Sequence, residues 1–224
     1  MTPQPLKLTL ENGATVSALL RHPDNARACL VLAHGAGAGM SHPFMETVAT
    51  GLAARGIATL RFQFPYMEKG SKRPDPPAVA HAAARAAVAE AARRCPGLPL
   101  FAGGKSFGGR MTSQAQAIAP LPGVRGLVFF GFPLHPPDKP SVERAEHLAD
   151  VKLPMLFLQG TRDKLADLKL LEPLIKKLGS PASLNVVQDG DHSLQVSARS
   201  GRNNEEVLAE VLDSTAVWIG GLAD

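Results

Sequence analysis

LPLFAGGKSFGGRM, residues 98–111, decides the fold. Its first half is short, apolar and closed by glycines, as a buried strand is, and its second half opens into the helical pattern of residues 107–119. At the junction stands Gly104-Lys105-Ser106-Phe107-Gly108, a GxSxG match. A serine at so sharp a strand-to-helix turn presents its hydroxyl at the edge of a sheet, and small neighbours are needed because other backbone crowds the turn. Gly103, Gly104, Gly108 and Gly109 supply them. The helix that follows aims its first N–H groups at any negative charge developing beside the serine. The letters Gly-Lys-Ser also close a phosphate-binding P-loop, but the full GxxxxGKS pattern needs glycine where this chain has Pro99. A nucleotide binder is therefore only a remote alternative.

Working outward, short apolar runs alternate with longer helical ones. Strands are expected at residues 28–34, 57–64, 98–104, 124–132, 154–160 and 183–190, and runs this apolar suit a parallel sheet covered on both faces. Helices are expected at 44–55, 78–94, 107–119, 141–149, 166–178 and 204–219. Before them, LKLTL and ATVSALLR flank Glu11-Asn12-Gly13, a hairpin signature. The reading is an α/β fold: a doubly wound, mostly parallel sheet with an N-terminal antiparallel hairpin, one domain over residues 1–224, with no segment long enough for a lid domain.

A nucleophilic serine needs a base, and the base needs an orienting carboxylate; in a fold of this kind they follow in the order Ser, Asp or Glu, His. Asp163 lies just past the strand PMLFLQG and His192 just past SLNVVQDG, so both reach the sheet edge that carries Ser106. Asp167, Asp189 and Asp191 are the nearby alternatives to Asp163, and His34 reads as a structural histidine holding its loop. Backbone N–H groups of Phe107, after the serine, and Ala36, in the glycine-rich His34–Gly39 loop, are expected to form the oxyanion hole. The proline-dense loops 65–77 and 133–140 follow strands, so Phe64, Tyr66, Phe132, Leu134 and His135 are expected to line a substrate pocket.

Composition narrows the function classes. The 224 residues are 45% hydrophobic and 20% charged, with no run of about 20 apolar residues to span a bilayer. The N-terminus lacks a secretory pattern, so a cytoplasmic protein is expected. The net charge of +4 is spread out, and its densest group, Lys69, Lys72 and Arg73, has no interleaved stacking aromatics; no nucleic-acid or membrane partner is expected. Cys29 and Cys95 read as free thiols, and no cofactor or metal is implied.

With these residues in place, the chain resembles the α/β-hydrolase superfamily, and within it the lidless dienelactone-hydrolase-like proteins. More narrowly, HGAGAGM, RFQFPYM, GGKSFGGRM, GFPLHPP, FLQGTRD and GDHSL resemble a family of predicted hydrolases that includes testis-expressed protein 30 and the hydrolase-like region of a chromatin acetyltransferase complex subunit. The resemblance implies Ser106 as nucleophile, Asp163 as acid and His192 as base, the assignment that spacing gives. The expected activity is hydrolysis of a small-molecule acyl ester through an acyl-enzyme. A non-catalytic binding or scaffold protein that kept the fold is the alternative.

Overall fold

The apolar runs pair into one eight-stranded sheet in the computed structural model, which describes residues 2–223. The opening hairpin joins β1 (Gln4–Thr9) to β2 (Thr15–Arg21), antiparallel, through a turn with Gly13 at φ 81°. Then come β3 (Ala28–Ala33), β4 (Ile57–Phe62), β5 (Leu100–Lys105), β6 (Val124–Phe130), β7 (Met155–Gly160) and β8 (Ala182–Val187). The spatial order is β1-β2-β4-β3-β5-β6-β7-β8, parallel from β4 through β8, with β2 antiparallel to β4. Every residue of β3, β4 and β7 is buried, which explains why these strands read as unbroken apolar runs instead of alternating ones.

Helices cover both faces. On one lie α1 (Pro43–Ala54) and α6 (Asn204–Ala223), whose Met45, Leu52, Val207 and Ile219 pack with Leu30, Leu32, Phe101 and Val128 of the sheet. On the other lie α3 (Pro77–Arg94), α4 (Phe107–Ile118) and α5 (Leu168–Leu178); the buried face of α3 is mostly alanine. Among the described residues, no helix is long and apolar enough to cross a membrane. Two expectations shift locally. Pro65 starts a single helical turn, α2 (Pro65–Glu68), inside the first proline-dense loop, since proline suits a first helical position. The stretch read as a helix at 141–149 is a 3-10 segment, Glu143–Asp150; no side chain caps its start, and prolines precede it.

This topology locates the site. Neighbours β3 and β5 send their chains to opposite faces, into α1 and α4, so a crevice opens above their C-terminal ends. Arg61, fully buried in β4, steadies one wall: it pairs with Glu46 of α1 at 2.6 Å and donates to the Met40 carbonyl at 3.1 Å.

Candidate active site

Ser106 is the single residue between β5 and α4, held at φ 50°, ψ −116°. That left-handed backbone costs a non-glycine residue about 1–3 kcal/mol, and it persists because the strand and helix on either side leave no alternative. The neighbouring glycines follow from contact distances: a Cβ on Gly104 would stand 2.2 Å from the Ala33 carbonyl oxygen, and one on Gly108 2.5 Å from that of His34. No loop remains between strand and helix to wrap a phosphate, which disposes of the P-loop reading.

The turns after β7 and β8 bring in the other two side chains. His192 Nε2 lies 2.8 Å from Ser106 Oγ, and His192 Nδ1 lies 2.7 Å from Asp163 Oδ2. A carboxylate only accepts, so Nδ1 carries the proton, Nε2 is the free acceptor, and the serine hydroxyl donates to it. Asp163 has a fully enclosed side chain, and its orientation is over-determined: Oδ2 also accepts from Gln159 Nε2, while Oδ1 accepts from the Leu165 N–H at 2.8 Å. Gln159, buried in β7, is in turn fixed by the Phe132 N–H, which donates to its Oε1 at 2.9 Å.

A second serine–histidine contact differs in kind. Ser113 Oγ lies 2.7 Å from His147 Nε2, but the Ser113 hydroxyl donates to the Arg110 carbonyl at 2.9 Å. The hydroxyl oxygen thus accepts from the ring, and no exposed surface remains on Ser113 for a substrate to meet.

The open space beside Ser106 is a cleft of about 340 Å³, lined by Ala36, Ala38, Met45, Lys105, Leu165 and His192 among others. The five side chains expected to line it sit elsewhere. Phe64 and Tyr66 are buried beneath the His34–Gly39 loop, where Phe64 packs edge-on against His34 at 4.8 Å and Phe107 at 5.3 Å. Phe132 packs on Phe129 and Phe157, and Leu134 is fully buried. His135 donates through Nδ1 to the Pro136 carbonyl and accepts the Asp167 N–H at Nε2, 2.9 Å, so it braces the loop behind Asp163. The cause is common to the first four: the loops after β4 and β6 fold inward and place these side chains in the core, whereas His135 is drawn away by its hydrogen bonds to the loop backbone.

A family model for the alpha/beta hydrolase domain matches residues 26–220. The chain belongs to the α/β-hydrolase family. Solved structures agree on the fold of this α/β-hydrolase. It is similar to dienelactone hydrolase from Anabaena variabilis at TM-score 0.78 and 20% identity, covering 99% of each chain. It is also similar to an alpha-beta serine hydrolase homologue from Coxiella burnetii, at TM-score 0.75 and 19% identity over 95% of this chain and 96% of that one. A serine hydrolase without lid from Xanthomonas campestris superposes at TM-score 0.73 with 19% identity, over 96% and 93% of the two chains.

Two residues of this hydrolase escaped the sequence reading. Gln159 looked like one more position of an apolar strand, and its only signal was being polar there. Lys105, the variable letter of GxSxG, sends its ammonium to the carbonyl of His192 and lies 5.7 Å over the Phe44 ring. Desolvation lowers its pKa to about 8, against the opposing charges of Asp163 and Asp191. Gly131, at φ 69°, makes room: a Cβ there would fall 2.8 Å from the His192 oxygen and 3.0 Å from Lys105 Nζ.

His34 gives the hydrolase an acid limit. Its Nε2 accepts the Phe64 N–H at 3.0 Å and its Nδ1–H donates to the Gly35 carbonyl, so a fully buried neutral ring ties the Ala36 loop to the chain after β4. Burial holds its pKa down to about 4, from an ordinary 6.5. The unfolded chain therefore binds this proton first, and the stabilisation, complete above pH 6.5, is lost as pH falls towards 4. The loss from this ring alone is on the order of 3 kcal/mol. Urea denaturation at pH 7 and pH 4 measures it, and His34→Gln should show a smaller difference between the two.

Proposed function

We propose that this α/β-hydrolase is a serine hydrolase that cleaves an ester-type acyl bond through Ser106, His192 and Asp163. The supporting observation is the continuous proton path, hydroxyl to imidazole to buried carboxylate, with links of 2.8 and 2.7 Å, at the crevice above β3 and β5. In the first step His192 Nε2 takes the Ser106 proton while Oγ bonds to the substrate carbonyl carbon. The carbonyl π electrons move onto oxygen, which is stabilised by the N–H groups of Ala36 and Phe107; Phe107 is the first residue of α4, and its N–H has no intrahelical acceptor. Collapse breaks the bond to the leaving oxygen, which takes the proton from His192. Water then gives a proton to His192 Nε2 as its oxygen bonds to the acyl carbon; collapse breaks the bond to Ser106 Oγ, which takes that proton back from His192 as the acid leaves.

No cofactor or metal enters this scheme, and the partner is a small-molecule acyl ester. The narrower resemblance to the testis-expressed protein 30 group belongs to the same proposal and adds no substrate. Lys105 acts as a positioning residue, holding the backbone of His192 against the site. Lys105→Met is expected to lower kcat about tenfold or more, since misplacing a catalytic group by about 1 Å costs up to a hundredfold. Its thermal midpoint should not fall, because the substitution removes a desolvated charge.

A fluorophosphonate probe tests the reading directly. An activated serine displaces fluoride and keeps the phosphonyl group, so mass spectrometry should find one adduct, on Ser106. An unlabelled wild-type chain that hydrolyses no ester would leave a binding protein that kept the fold.

A further inference from the structure

Beside the catalytic cleft lies a larger cavity, about 640 Å³, between the start of α1, the residues after His192 and the start of α6. His42, Phe44 and Ser193 line both spaces, so the cavity and the cleft adjoin at these three residues. We propose that this groove holds the alcohol arm of the ester, and that the arm is an uncharged alkyl chain; the inference rests on the serine-hydrolase reading and specifies its substrate.

Two lines of chemistry lead there. The first concerns which arm. The acyl carbon must sit on Ser106 Oγ and the leaving oxygen must take its proton from His192 Nε2, so whatever the leaving oxygen carries runs past His192. Ser193 and Leu194, directly after His192, form the groove's near end. Leu194 is held there in a left-handed backbone, φ 60°, that leucine ordinarily avoids. The second concerns what the arm is made of. Pro43, Phe44, Leu194, Leu208 and Leu212 give the groove an apolar lining. Its cation is already engaged: Arg55 donates to Asp213 Oδ1 at 2.7 Å, to the Gly51 carbonyl at 2.9 Å and to the Ala209 carbonyl at 3.2 Å. Glu46 is paired with Arg61 and Arg21, and His42 Nδ1 accepts the Phe44 N–H. The remaining charge on the wall is the carboxylate of Glu205, which repels an anionic arm and, being on an exposed residue where water and salt screen it, draws in a cationic one only weakly. A cavity of this size falls within the range of small-molecule sites.

The experiment compares two ester series. Alkyl acetates from methyl to octyl vary the alcohol arm; methyl esters from acetate to octanoate vary the acyl arm. Along the alkyl acetates kcat/KM should rise on the order of fourfold for each early methylene, the transfer preference of one buried CH2, while the methyl esters stay comparatively flat. Filling the groove with Leu208→Trp, or independently with Thr47→Trp, should reduce the octyl-to-methyl acetate ratio at least tenfold. Binding of 1-octanol to Ser106→Ala, followed by calorimetry, gives a readout without turnover: one saturable site, weakened at least tenfold by adding Leu208→Trp. A rise along the acyl series instead, or ester turnover with no octanol binding, overturns the groove assignment alone. Octanol binding with no turnover of any ester by the wild type overturns the catalytic reading instead.

Discussion

Ser106→Ala is expected to lower kcat for an ester substrate by about a million-fold, the scale seen where a serine and its base act as one unit. The residual rate should still exceed that in water by about 10³–10⁴, because the proposed oxyanion donors, the N–H groups of Ala36 and Phe107, do not depend on the hydroxyl. Alanine keeps a Cβ, so the backbone at φ 50° is no more strained than with serine, and the folded state should be unchanged by circular dichroism and thermal melting. Comparison with His192→Ala sharpens the test. If Ser106 Oγ and His192 Nε2, 2.8 Å apart, perform one proton transfer, either substitution removes the whole step, and the double variant is no worse than the single ones. Losses that multiply instead would mean two independent roles, and the shared proton path would be refuted.

What the sequence disclosed, and what it hid, follow from the range over which each signal acts. Strand runs are local, and a fully buried strand such as ACLVLA or IATLRF advertises itself by lacking polar residues. The nucleophile turn is equally local, since glycines within two residues of Ser106 record how closely β3 approaches. Asp163 and His192 could be placed because each stands just past a strand end, and parallel strands deliver such ends to one edge. Side-chain direction beyond those ends is not local. Phe64, Tyr66, Phe132, Leu134 and His135 sit in loops of the right address, yet whether a loop side chain faces cleft or core depends on distant contacts: His34 for Phe64, Phe157 for Phe132, Asp167 for His135. The groove between α1 and α6 was invisible for the same reason, being built from segments about 150 residues apart. Lys105 was on the page, but only the fold sets its ammonium against a carbonyl 87 residues away.

Asp163→Asn should cost about 10⁴-fold in kcat, by a route that the hydrogen bonds around Asp163 make explicit. Each of its contacts is a donor: His192 Nδ1–H and Gln159 Nε2–H meet Oδ2, and the Leu165 N–H meets Oδ1. A carboxylate satisfies all three, whereas an asparagine offers one accepting oxygen and one donating nitrogen. If the nitrogen takes the place of Oδ2, it faces the Gln159 amide and forces His192 Nδ1 to accept. The imidazole proton then moves to Nε2, where it points at Ser106 Oγ and leaves no base for the hydroxyl proton. If the nitrogen takes the place of Oδ1, it opposes the Leu165 N–H, and the loop that His135 braces must give way. The first arrangement lets Gln159 rotate its own amide in response, although its oxygen then abandons the Phe132 N–H. The chain should therefore choose the wrong imidazole tautomer over a broken loop, folding normally with substrate binding close to wild type. Raising the pH should recover activity where a rising hydroxide concentration replaces the missing base. A variant that instead loses fold and activity together, with no alkaline recovery, would assign Asp163 to holding its loop and leave His192 oriented by some other group.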